Sequence, residues 1–497
     1  MIVGCRRIYP IVYRAIEGRN AHISYRSSGG GRTMKRAKRI THRNRSGSTL
    51  IMSLVFILVF SALATAMATM SGTNVQMAEN HRRLQTSRAC AESGLEVIRY
   101  WMSKVAISGT TDPNDRFSVL ASTIQNELYQ AGITNLNLVN GNSTIAVSEV
   151  PLSTSRGESF SAVFTDIDND TIQLDVTGHY KGIDRTLRTH YVFGTRANTV
   201  FDFGVASKGP VSLLGNIELA GVNLQVESNA YIESLNSLLA LSIIGNSQIG
   251  GSVKIVNGLA YVQLQGGKAG IGGVTGDAAT QEPYVTYDAP ATEFPEMVPE
   301  EFESYAVNVL DPNIDTSADA TFENIRIPAN MNPTFSGHTV LKGVIYVETP
   351  NVVTFTGTAD VTGIIVGDGD QTDDSATNQL IFKGNVNSWP VTDLPEEDQY
   401  EGLHEEIGTF VIAPGFFVAF GGSFDALNGA IAANGIEFFG DAGGTIYGSI
   451  INYADEEMSL SGNSDLYFNR SGLDDVPAGF VPELILEYDP SAYDEII

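Results

Sequence analysis

The sequence predicts a chain in two parts. A membrane-spanning helix leads into a small α+β domain, and an all-β parallel β-solenoid (a β-helix) follows. Three observations predict it. Residues 48–70 form one uncharged apolar run directly behind a basic segment. Residues 71–195 switch from helical spacing to the period-two alternation of strands. From about residue 200 to 472, glycine punctuates short apolar runs in a pattern that repeats.

The span comes first. Twenty-three residues, Ser48 to Met70, carry no charge; at 1.5 Å per residue they reach roughly 34 Å as a helix, enough to cross a hydrocarbon core of about 30 Å. Residues 1–47 hold twelve Lys or Arg against one acid, Glu17. The positive-inside preference therefore keeps this leader in the cytoplasm and exports the remainder, giving a single-pass inner-membrane protein. A cleaved secretory signal has an apolar core of about 7 to 15 residues ending in a small-residue cleavage site. This run is longer and passes into helical spacing without a turn, so it reads as a retained anchor. Its apolar residues include Leu50, Met52, Leu54, Phe56, Leu58 and Phe60. Met34 heads the basic run and reads as the start of translation.

Charge and cysteine content narrow the function. Of the formal −27, residues 1–47 contribute +11 and the rest −38. An exported part that acidic repels nucleic acid, which is excluded as a partner. Cys5 and Cys90 fall on opposite sides of the membrane, so no internal disulfide is expected and packing must supply stability. The seven His are scattered, with no Cys-x-x-Cys or His-Glu-x-x-His pattern. No cofactor is expected.

Beyond the span, Leu84, Ala91, Leu95, Ile98 and Met102 recur at helical intervals, which predicts one long helix, its first half in lipid and its second half laid on a soluble domain. Asn114 to Gly132 reads as a second helix, with apolar positions 117, 120, 124 and 128 and a glycine stop. Strands follow at 144–150, 160–164, 172–180 and 185–193, the last two joined as a hairpin by Lys181-Gly-Ile-Asp184.

The repeat of residues 200–472 is a large apolar residue, any residue, Gly, five to seven residues, Gly, any residue, then Ile or Val. Full copies stand at Ile243/Gly245/Gly251/Val253, Phe335/Gly337/Gly343/Ile345, Phe355/Gly357/Gly363/Ile365, Phe420/Gly422/Gly429/Ile431 and Phe438/Gly440/Gly448/Ile450. Partial copies begin at Leu213, Phe382 and Leu460. Adjacent copies lie 20 or 18 residues apart, a period that suits a solenoid coil whose inward Phe, Ile and Val stack in columns. Insertions near 258–330 and 385–408 are expected as loops leaving the solenoid wall, notably the proline- and acid-rich stretches 289–305 and 388–402. The acidic tail, 473–497, reads as a loop.

Two acidic clusters invite a cation. Asp166-Ile-Asp-Asn-Asp170 has the spacing that opens a calcium-binding loop, but Thr171 stands where that loop needs Gly; an acidic turn is the expectation. Asp368, Asp370, Asp373 and Asp374 are the better metal candidates. Solenoids also house carbohydrate-active enzymes, whose chemistry needs paired carboxylates or a metal with a base. Here Arg326, Arg470 and Lys208, Lys254, Lys268, Lys342 and Lys383 are spread out, so no enzyme is expected.

The basic leader ending Arg45-Ser-Gly47, the apolar run from Ser48 to Phe60, Met77-Ala-Glu-Asn80 and Ala89-Cys-Ala-Glu-Ser-Gly-Leu95 together resemble the amino terminus of the type IV pilin superfamily, specifically the PilX-type minor pilins. The resemblance implies that the domain up to residue 195 is pilin-like. It further implies a leader cut after Gly47 by prepilin peptidase, methylation of the new terminus at Ser48, and packing of the apolar helix among other pilin subunits on an assembly platform. One departure matters. Pilins that polymerise in bulk usually carry Glu at the fifth mature position, where this chain has Met52. An unpaired buried ammonium costs on the order of several kcal/mol, so this subunit is poorly suited to insert beneath others but suited to sit on top. The expected function is a minor or tip component of a type IV pilus or pseudopilus, displaying its solenoid as a structural or adhesive head toward a surface ligand. Two alternatives stay open: a single-pass surface adhesin outside any filament, and an anchored β-helix carbohydrate-active enzyme.

Overall fold

The computed structural model describes residues 48–130, 138–140, 143–276, 278–471 and 475–496. The leader 1–47, with Gly47, Met34 and Cys5, lies outside the described residues, as does the predicted glycine stop at 132. The chain divides into two compact units, Met1–Ala78 and Glu79–Ile497. One helix, α1 (Ser48–Met102), is continuous through both.

In the first unit every residue from 49 to 78 is exposed. In the second, α1 begins to bury a stripe: Ser87, Cys90, Ala91, Leu95, Ile98 and Met102, spaced as one helix face demands. The stripe packs on an antiparallel sheet together with α2 (Arg116–Gln130), whose Phe117, Leu120, Ile124 and Leu128 enter the same core. Contact with the sheet is backbone to backbone at one point. Ser87 Oγ donates to the Gly178 carbonyl at 2.7 Å, and a Cβ on Gly178 would lie 2.1 Å from the Ser87 carbonyl oxygen. No side chain fits there.

The sheet runs Ile107–Ser108, Glu483–Ile496, Ile183–Arg196, Thr171–Tyr180, Glu158–Asp168, Thr144–Ser153, Leu138–Asn140. Its second member corrects the expected loop-like tail: Glu483–Ile496 is a strand, paired antiparallel with Ile183–Arg196 from Glu483 opposite Arg196 to Ile496 opposite Thr186. Leu484 and Leu486 alternate into the core, and the tail's acids meet cations, Glu483 with Arg196 at 2.9 Å and Glu495 with Arg88 at 3.2 Å. The α+β domain is therefore discontinuous. Everything from 197 to 482 is inserted between two neighbouring strands.

The inserted part is a large all-β region of three sheets, with twelve, nine and seven strands. Their pairing is parallel except at Val274–Thr275. The repeat positions fall in register. Phe335, Phe355, Phe382, Phe420, Phe438, Leu460, Leu213, Ile243 and Leu264 form one column across the nine-stranded sheet. The closing Ile or Val forms another across the twelve-stranded sheet: Ile325, Ile345, Ile365, Val411, Ile431, Ile450, Val205, Ala230, Val253 and Val285. The column order is not chain order. The last turn of chain lies beside the first, Ile450 against Val205 and Leu460 against Leu213.

The segment between Thr286 and Asn308 consequently joins the two ends of the stack. It was expected to leave the wall as a loop and instead lies along it. Phe294 meets the Tyr453 ring edge-on at 5.4 Å and the Tyr231 ring at 6.1 Å, and Phe302 is wholly buried. The reason is in the strands beneath. Val344-Ile-Tyr-Val347 and Ile364-Ile-Val366 are apolar on both faces, as parallel strands covered on both sides are, so the outer face needs a cover. The expected insertions are partly strand as well. Residues 258–330 contain Tyr261–Gln265 and Ala320–Ile327. Residues 385–408 open with the strand Val386–Trp389, parallel to Ala359–Thr362, after which Val391, Leu394, Tyr400 and Leu403 join the same outer core.

Candidate functional site

The candidate site is the exposed part of α1. Ser48 opens the helix, whose first turn holds no acid. Leu50, Met52, Leu54, Phe56, Leu58 and Phe60 are all exposed, from 57% at Phe56 to 70% at Leu50, and lie around the whole circumference rather than on one face. Among the described residues this is the one helix long and apolar enough to cross a membrane. Its hydroxyls suit lipid. Ser53 Oγ donates to the Leu50 carbonyl, Thr65 to Ser61, Thr69 to Ala66 and Thr73 to Thr69, all at 2.8–3.0 Å, so these polar groups are satisfied within the helix.

The first acid after Ser48 is Glu79. Hydrogen bonds from Arg82 (2.9 Å) and Arg83 (3.1 Å) hold its carboxyl down to about 2, so it stays ionised and belongs to a charged collar at the end of the apolar run. The small residues of the 89–95 motif then explain themselves. Cys90 and Ala91 are buried in the seat of the helix, and a Cβ on Gly94 would lie 2.5 Å from the Phe160 ring. Sequence reasoning missed the far side of this seat, the C-terminal strand: Arg99 stacks over the Tyr488 ring at 4.5 Å. The alternation of Leu484 and Leu486 was the signal for it.

The four aspartates proposed for a cation are not brought together. Asp368 Oδ1 accepts the Thr349 N–H at 2.6 Å, Asp370 Oδ1 the Thr372 N–H at 2.8 Å, Asp373 Oδ2 the Asp370 N–H at 2.8 Å and Asp374 Oδ1 the Ala376 N–H at 3.0 Å. Each caps its own piece of backbone. Burial pushes Asp368 up, while the Thr372 backbone bond draws Asp370 down. Among the described residues no three His, Cys, Asp or Glu converge on a metal-sized site. At the 166–170 turn, Asp168 accepts the Asp170 N–H and Asp170 pairs with Arg116 at 2.7 Å. Three cations of the all-β region have defined partners: Arg326 pairs with Glu303 and Glu348, Lys208 lies over Phe294 and Tyr453, and Lys254 over Phe203.

Residues 46–96 match the family model for the PilX N-terminal region. No curated protein matches the chain. Among solved structures it is similar to the competence-associated pilin ComZ from Thermus thermophilus, at 9% identity over 78% of this chain and 98% of that one, with a TM-score of 0.27, too low to speak for a shared fold. The amino-terminal region is type IV pilin-like, and its apolar helix is a candidate membrane anchor.

Proposed function

We propose that the chain is a minor or tip subunit of a type IV pilus or pseudopilus. Prepilin peptidase cuts after Gly47, Ser48 becomes the methylated amino terminus, and α1 serves first as the membrane anchor and then as the peg that docks among other subunits. The leader faces the cytoplasm and the rest is exported. The observation that carries this reading is the coincidence of the family match at 46–96 with a helix that is apolar to residue 70, bare and uncharged up to residue 78 and seated on a sheet beyond it. Met52 and the lack of any acid between Ser48 and Glu79 leave nothing within the apolar segment to neutralise a neighbour's terminal ammonium, which favours a position above other subunits.

The all-β region is read as a β-solenoid head. The two columns of stacked repeat positions support that reading, and its place as an insertion between two neighbouring strands suits display, structural or adhesive. Mass spectrometry of the native amino terminus tests the proposal. Methylated Ser48 is expected, together with co-purification in sheared filaments. A Gly47→Leu variant is expected to accumulate uncut. An unprocessed native terminus, or normal maturation of that variant, would leave the plain membrane-anchored adhesin as the better account.

A further inference from the structure

Seven-stranded pairing on the third side of the all-β region ends at Ala426–Asn428. The next turn of chain, Val386–Trp389, belongs to the twelve-stranded sheet instead. Its hydrogen bonds to Asn428 run through Ser388, whose Oγ accepts the Asn428 N–H at 2.5 Å and whose carbonyl accepts the Asn428 side-chain amide. Where the ladder fails, a groove of about 400 Å³ opens on the outer face. That lies within the roughly 300–1,000 Å³ of small-molecule sites.

Its lining is unusual for this protein. Trp389 and Tyr447 are each 41% exposed, although the ring columns elsewhere in the region are buried. Val386 and Ser388 are buried, so alternation turns Asn387 and Trp389 outward. Around these rings stand Asp393, Asp425, Asn387 and Asn428. Asn387 and Asn428 each commit one side-chain amide N–H, to Asp360 and to the Ser388 carbonyl. Among the described residues the carboxylates of Asp393 and Asp425 have no partner. The groove therefore offers two ring faces beside two carboxylates that accept hydrogen bonds.

We propose that this groove binds a neutral saccharide chain, which deepens the reading of the region as a displayed head and rests on it. A pyranose has axial C–H faces that pack on an aromatic ring and a rim of hydroxyls that donate to in-plane acceptors. Trp389 and Tyr447 supply the first contact and the two carboxylates the second. Uronate or sulfated chains are repelled by Asp393 and Asp425 and by the −38 carried on residues 48–497. A proline-rich peptide would use the rings but has no donors for the carboxylates.

The test uses the full chain in detergent. The protein has two tryptophans, so Trp101→Phe leaves Trp389 as sole reporter. Titration with cellohexaose and with chitohexaose is expected to shift Trp389 emission for at least one, while oligogalacturonate and decaproline leave it unchanged. Tyr447→Ala and Asp425→Asn, with unaltered melting curves, are expected to weaken binding at least tenfold. In equilibrium dialysis Trp389→Ala should do the same. The inference is overturned if neither neutral probe binds, if oligogalacturonate or decaproline binds as tightly, or if the variants bind normally. Any of these results alongside a methylated Ser48 and filament co-purification would remove this ligand and leave the pilin proposal standing.

Discussion

Phe382 lies in the middle of five stacked rings, its centroid 5.0 Å from Phe355 and 5.1 Å from Phe420, with interplanar angles of 5° and 6°. Two residues on, Gly384 follows the same ladder, and a Cβ there would sit 2.0 Å from the Gly357 carbonyl oxygen. The spacing apolar-x-Gly thus states a local rule: a ring fills the interior and the chain then turns where only backbone fits. Because the column is pinned above and below by rings held in sheet register, the space left by one missing ring has little freedom to close. Phe382→Ala is expected to cost about 3–5 kcal/mol, the range for emptying a buried aromatic site, read from the denaturant midpoint of the purified chain. A loss below about 1 kcal/mol would mean that the column relaxes around the gap.

Elements differed in how openly the sequence declared them. The apolar half of α1, α2 and the hairpin 171–196 were legible because each satisfies its own period locally, 3.6 or 2 residues. The repeat columns were legible because Phe, Gly and Ile recur in the chain. Their axial order was not: Leu213 packs as well on Leu460 as on Ile243, and in the protein it meets both. What fixes the order is the segment 287–307, whose Phe294 and Phe302 read as loop residues until the apolar outer face beneath them is known. The sugar groove was invisible for a related reason, since it exists where a sheet ladder fails. The final strand was hidden by distance, its acids answered by Arg196 and Arg88 hundreds of residues earlier. Ending the chain at Pro482 turns Ile183–Arg196 into an edge strand. Hydrogen exchange across 183–196 is then expected to quicken and trypsin to cut at Arg185, Arg188 and Arg196; unchanged protection would mean that this pairing contributes nothing to the domain.

At the scale of the molecule, the all-β region enters after Arg196 and leaves before Glu483, and those two residues face each other in one antiparallel pair. Partners in such a pair have Cα atoms about 4.5–5.5 Å apart, a gap a two-residue hairpin turn closes. Among the described residues the core of the α+β domain draws on residues from 95 to 193 and on Leu484, Leu486 and Tyr488, with Cys90 and Ala91 in the helix seat. No member of that cluster lies in the insertion. Replacing 197–482 by Asn-Gly should therefore leave the hydrophobic core intact, join the two strands as neighbours in sequence, and shorten the loop that folding must close from nearly three hundred residues to two. The excised protein is expected to insert in the membrane, to keep the helix-plus-sheet circular dichroism of a folded α+β domain, to unfold in one transition and to be processed at Gly47 like the full chain, while losing all saccharide binding. An aggregated or protease-labile product would show that the domain needs the inserted region as a structural partner. That result would point to the walls of the 330 Å³ cavity between them, formed by Lys104, Arg196, Asn198 and Glu293 among others, as the contact that matters.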